Sequence, residues 1–193
     1  LDTGPFYRCL LWLGCVSGIV ASSGQAQPVF SDRDLLIRPP AVVRQAQTSP
    51  GFSVDTLSRE QVRAFFNTVF QASENVPMEW TGSLVTGDPG TTSPAYLESV
   101  IVRVNYFRAM AGVPANTALN AEFSRKAQQA ALMMSANNSL SHFPPPSWLF
   151  FTAEGAEAAR NSNVSIGSAG PDAVFGQMQD NGANNSVVGH RRW

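Results

Sequence analysis

Cysteine is almost missing from this sequence: Cys9 and Cys15 are the two among 193 residues, and both lie in an apolar N-terminal stretch. Once that stretch is set aside, nothing remains for a disulfide, a thiolate zinc site or a cysteine nucleophile. Charge is scarce as well, with 14% charged residues and a formal net charge of −1. That balance excludes both the basic field a nucleic acid needs and a long acidic tail, so no nucleic-acid partner is expected. The apolar stretch from Cys9 to Val20 falls short of the roughly 20 residues that cross a hydrocarbon core, and no stable membrane span is expected from it. Common catalytic and nucleotide-binding signatures are also missing. There is no GxSxG elbow, no GxxxxGK[ST] phosphate loop, no GxGxxG and no HExxH.

The N-terminus is the first positive signal. In "LDTGPFYRCLLWLGCVSGIVASSGQAQP" one basic residue, Arg8, precedes the apolar stretch, and Gly24-Gln25-Ala26 supplies small side chains for a signal peptidase. Residues 1–26 read as a signal peptide cleaved after Ala26, which makes the protein secreted or periplasmic. An anchor through Cys15 fits less well, because Trp12 stands where a small or aliphatic residue is expected. Removing Asp2 and Arg8 leaves the balance of charge unchanged.

Residues 27–57 are rich in Pro, Gln and Ser, without lasting periodicity, and read as a flexible leader. Residues 58–93 form a helix and a turn-rich connector. Ser58 and Gln61 have capping-box spacing, and Val62, Phe65, Phe66 and Val69 continue a helix to about Ser73. The connector centres on the turn Asp88-Pro89-Gly90. Pro94 to Gly112 predicts a helix with Leu97, Ile101, Val104, Phe107 and Ala111 on one face, and Gly112 as its stop. Leu119 to Asn137 predicts a second, with Phe123, Ala127, Ala130, Ala131 and Met134 inward. Three consecutive prolines make 144–146 a loop. A short helix is expected in "FTAEGAEAARNS", a strand in "NVSIG", a further helix from Pro171, and a polar loop to the end.

His142 and His190 are the two histidines, each in a loop beside a helix. Imidazole suits zinc, and histidines distant in sequence can meet in a fold. By spacing alone, a surface histidine beside a proline turn and a solvated basic end describe them as well. Glu154 and Glu157 share a helical face and are either an acid/base pair, further metal ligands, or a solvated surface. The run Ser165 to Gly170 lacks a cation and reads as a plain loop rather than an anion site. Asn105, in an apolar helix, points to a buried hydrogen-bonding role, and Arg108 is grouped with it as architectural.

The order "VNYFRAMAGVP", "AQQAALMMSANNSLSH", "SNVSIG" and "VVGHRRW" resembles the CAP superfamily: the SCP domain of cysteine-rich secretory proteins, antigen 5 and pathogenesis-related 1 proteins. The likeness is to its secreted bacterial branch, which commonly lacks disulfides. It makes 94–193 a partial CAP/SCP domain and implies an α+β fold, a three-layer α-β-α sandwich. The family continues with further strands, so the C-terminal strands of the sheet are expected to be missing beyond Trp193, leaving an apolar, aggregation-prone face. The resemblance also implies a cleft with two histidines and two acidic residues. His142 and His190 fall at the histidine positions. Ser162 stands at the usual glutamate place unless Glu157 or Glu154 reaches in, and Asp180 lies near the second acid.

Two functions follow from this reading. One is a secreted binding or interaction module whose His-lined cleft takes zinc or another divalent metal, with a small apolar or lipid ligand or a protein partner. The alternative is a secreted hydrolase with metal-activated water and Glu154 or Glu157 as base. No nucleophile or base stands out, so the reading favours the binding module and leaves enzymatic activity open.

Overall fold

Ser58 opens the helical structure. Its Oγ accepts from Gln61 N at 3.3 Å, and α1 (Arg59–Phe65) follows. The Gln61 side chain does not return to the cap residue, as a full capping box requires, but accepts from Asp55 N at 3.2 Å. Nor does one regular helix run to Ser73. The chain widens into a π-helical turn over Phe66–Phe70 and tightens to a 3-10 turn over Gln71–Ser73. These turns bring the Phe70 carbonyl and the Ser73 hydroxyl onto the next helix (below). The structure, a computed structural model, describes residues 51–182 and 188–192. The signal-peptide reading and most of the leader lie outside the described residues.

The second helix, α2 (Pro94–Met110), has Ser93 Oγ accepting from Tyr96 N and proline in its first turn. It ends in a Schellman turn: Val113 N donates to Arg108 O, Gly112 N donates to Ala109 O, and Gly112 adopts φ +70°. The expectation of one apolar face needs correcting. Val100, Ile101, Arg103, Val104, Asn105, Tyr106 and Ala109 are all buried, whereas Ala111 is exposed. The helix is covered from several sides, by the 66–73 turns and by α5 (Gly170–Gln179). Val100 and Val104 meet Val174 of α5, with Phe107 against them.

A second pair of helices is built on small residues. In α3 (Ala121–Ala136), capped by Asn120, and α4 (Ala153–Arg160), capped by Thr152, the core is Ala130, Met134, Ala158 and Ala159. Trp148 and Val164 close its edge. An added Cβ on Gly155 would stand 2.9 Å from Thr152 Oγ1 and 3.2 Å from Ala130 N, so glycine sets the approach of these two helices.

The described residues therefore contain two helix pairs, α2 with α5 and α3 with α4. The strand expected in "NVSIG" does not form among the described residues, where pairing is limited to isolated bridges such as Phe52 with Ala115 and Ser83 with Asp88. Alternation alone cannot hold a strand without a neighbour to complete its ladder. No helix among the described residues is long and apolar enough to cross a membrane.

Candidate functional site

Helix α5 ends at Asp180, which takes a left-handed conformation (φ +50°) while its N–H caps Gly176 O at 3.0 Å. Aspartate is among the few non-glycine residues that tolerate this region. The Asp180 side chain is fully enclosed, and His190, in the 3-10 turn His190–Arg192, donates from Nδ1 to Asp180 Oδ1 at 2.7 Å. The second carboxylate oxygen, Oδ2, is buried and has no partner among the described residues. Asn163 donates from Nδ2 to the His190 carbonyl at 3.1 Å, tying the segment after α4 to this turn.

The other histidine comes from the other helix pair. His142 follows α3, and its Nδ1 lies 2.8 Å from the Ala159 carbonyl in the last turn of α4. His142, Asp180 and His190 line one cleft of about 580 Å³, with Ser141, Ser165 and Gln177 as polar neighbours and Leu140, Val164 and Ile166 as its apolar side. The fold thus brings both histidines and Asp180 to a single opening.

The remaining carboxylates go elsewhere. Glu154 receives Arg125 through two 2.6 Å contacts and Gln129 at 3.1 Å. Hydrogen bonding by the guanidinium, then by the Gln129 amide, lowers its pKa to about 2. Glu157 accepts from Lys126 at 3.0 Å, and Lys126 also meets Glu122 at 3.1 Å. Both glutamates clamp α4 to α3, and neither lines the cleft. Ser162 is buried, its hydroxyl donating to Ala158 O at 2.5 Å. No group of three or more His, Cys, Asp or Glu suited to a metal ion is found among the described residues.

A comparison with protein families decides what this arrangement belongs to. The model of the cysteine-rich secretory protein family, CAP, matches residues 102–193. Over residues 102–193 the chain is similar to the CAP family. No match was found among the curated proteins or the solved structures compared with the chain. The CAP segment begins inside α2 and takes in both histidines, Asp180 and all of α3 to α5. The segment from 51 to 93, with its π-helical turn, precedes it.

Asn105 and Arg108 sit at the front of the CAP segment, away from the cleft. Asn105 donates to Thr117 O and accepts from Thr117 N, both at 2.9 Å, while Arg108 Nε donates to Pro114 O at 2.7 Å. Together they fasten the 111–120 loop to α2. Two residues that tie these elements together were not singled out from sequence. Asn163 is an ordinary loop asparagine until the fold brings it to His190. Arg103 is buried to 1% exposure, and a charge inside "VIVRVNYF" was the available signal.

Proposed function

We propose that the protein is a secreted CAP-type interaction module whose cleft binds a divalent cation of the zinc class together with a small apolar or lipid-like ligand. The observation that carries this reading is the shared cleft lined by His142 and His190, whose Nδ1 atoms meet the Ala159 carbonyl and the Asp180 carboxylate. Imidazole nitrogen held by a protein acceptor is the usual form of a histidine ligand. Two imidazoles are one ligand fewer than the three protein ligands of an ordinary open zinc site. Two imidazoles are supplied by the protein, and further positions fall to water or to the ligand. A bound zinc ion would supply a Lewis-acidic anchor for an oxygen of the ligand. Leu140, Val164 and Ile166 supply the apolar contact.

A sheet between the two helix pairs, as in a three-layer α-β-α sandwich, completes this proposal. It accounts for α2 pairing with α5 and α3 with α4. The hydrolase reading requires a carboxylate base in the cleft. Glu154 and Glu157 are held by Arg125 and Lys126, and Asp180 is bound to His190, which favours binding over hydrolysis.

Calorimetric titration with zinc tests the proposal. Heat of binding is expected for the wild type and a large loss of it for His142→Ala and for His190→Ala. Equal heats for the wild type and His142→Ala would overturn it.

A further inference from the structure

Asparagine is a thermolabile side chain, because a main-chain nitrogen can displace its amide. The attacking nitrogen belongs to the following residue, whose own side chain hinders the approach. Glycine there removes the hindrance and frees the backbone to turn. Asn181 is the one asparagine of the sequence that precedes a glycine. It follows Asp180, just beyond α5, and both Asn181 and Gly182 are exposed. Gly182 adopts φ +123°, a region that favours glycine, and its N–H donates to no acceptor among the described residues. Asn138 and Asn161, which precede serine, are held differently. Ser139 N is already committed to Met134 O at 3.1 Å. Asn161 Nδ2 donates to Glu157 O at 3.0 Å, and the following Ser162 is buried.

We propose that Asn181-Gly182 is a self-modifying site, at which the folded chain converts Asn181 to aspartate and isoaspartate and so adds a carboxylate to the end of α5. The Gly182 nitrogen loses its proton to solvent base and bonds to Asn181 Cγ. The bond from Cγ to Nδ2 breaks, and the nitrogen leaves as ammonia with protons taken from water. Water then adds to either carbonyl of the five-membered ring. Opening at one carbonyl gives aspartate, and opening at the other gives isoaspartate, with the main chain running through the former side chain. The net change is one water consumed and one ammonia released, with nothing oxidised or reduced. Ring closure gives up the 3.5 Å contact from Asn181 Nδ2 to Gln179 Oε1. The product adds one negative charge to a formal balance of −1. That charge stands at the carbonyl end of α5 and next to the enclosed Asp180 carboxylate, and both repel it. The modification does not depend on the cleft taking a cation.

The test follows the folded 193-residue chain through warm incubation in mildly alkaline buffer, by mass spectrometry of its tryptic peptides. A gain of one mass unit is expected first in the peptide bounded by Arg160 and Arg191, and fragment ions should place it at Asn181. Aspartate and isoaspartate forms of that peptide should both appear, because the ring opens either way. Gly182→Ala should slow the gain severalfold, and Asn181→Gln should remove it from this position. Asn181→Asp supplies one product directly and should melt below the wild type. A folded chain still unmodified at Asn181 when the guanidinium-unfolded chain has converted overturns the proposal. So does another asparagine that converts first, or aspartate formed without isoaspartate. If Gly182→Ala fails to fold, the wild-type time course and Asn181→Gln decide. An Asn181→Asp chain that melts no lower than the wild type overturns the effect on α5 and leaves the modification standing.

Discussion

Replacing Arg103 tests how the segment before the CAP match is attached to it. The guanidinium is 1% exposed and sits 3.6 Å over the centroid of the Phe70 ring. Its Nε donates to Ser73 Oγ at 2.8 Å, and its NH groups reach Phe70 O and Pro171 O, each at 3.4 Å. Glu74, the acidic partner, lies 3.9 Å away and is half exposed. Burial outweighs Glu74 and lowers the Arg103 pKa, so holding this charge inside costs free energy. Arg103→Ala removes one short charge-assisted bond of about 1.5–3 kcal/mol, two long ones worth less, and a cation–π contact of about 0.5–2 kcal/mol. It also opens a cavity and leaves buried acceptors unsatisfied, while relieving the desolvation cost. The expected net loss is about 3–5 kcal/mol, read as a fall in urea midpoint at constant slope. Arg103→Met keeps the volume, removes the charge and should recover at least half of that loss. Ser73→Ala should couple to Arg103 in a double-mutant cycle. A loss below about 1 kcal/mol for Arg103→Ala, or equal losses for Ala and Met, would refute the reasoning.

Two further outcomes concern the α3–α4 pair. Gly155→Val should destabilise by about 1–3 kcal/mol in the same urea assay, because its side chain would press on Thr152 and the Ala130 backbone; an unchanged midpoint would mean the helices can separate there at little cost. Glu154 has a folded pKa lowered to about 2, so its contribution is present above the unfolded value near 4.3 and is lost as pH falls toward 2. The melting-temperature difference between wild type and Glu154→Gln should therefore shrink over that acid window, and shrink with salt because the pair is surface-exposed. A difference independent of pH would argue against the Arg125 pairing.

The helices were legible in the sequence because caps and punctuation agree with periodicity. Pro94 and Gly112 bound α2, and the span Leu119 to Asn137 contains α3, each within a residue or two of the ends the structure realises. The interior of α2 was less legible. A one-face pattern assumes a single covering layer, and α2 is covered by both the 66–73 turns and α5, so Val100 and Tyr106 are buried as well. The strand at "NVSIG" was read from composition, whereas a strand exists only through a partner elsewhere in the chain. At the site, histidine scarcity made His142 and His190 easy to single out. The destination of each carboxylate was not legible. Glu154, Glu157 and Asp180 are chemically alike, and what separates them is whether Arg125, Lys126 or His190 is the nearest cation or donor once the helices pack.

The two helix pairs divide the cleft between them, and this gives the packing a functional consequence. His142 is moored to the last turn of α4, and His190 to the residue that ends α5. Relative placement of the Nε2 atoms thus depends on how the α3–α4 pair sits against the α2–α5 pair, with Asn163 and the His190 carbonyl as a direct tie. Arg103 grips the first turn of α5 through Pro171 O, and Asp180 ends the same helix. The ten-residue helix places these two points about 15 Å apart along one element. The segment that precedes the CAP match, by supplying Phe70 and Ser73 to Arg103, is thus joined through Pro171 to the helix that Asp180 ends.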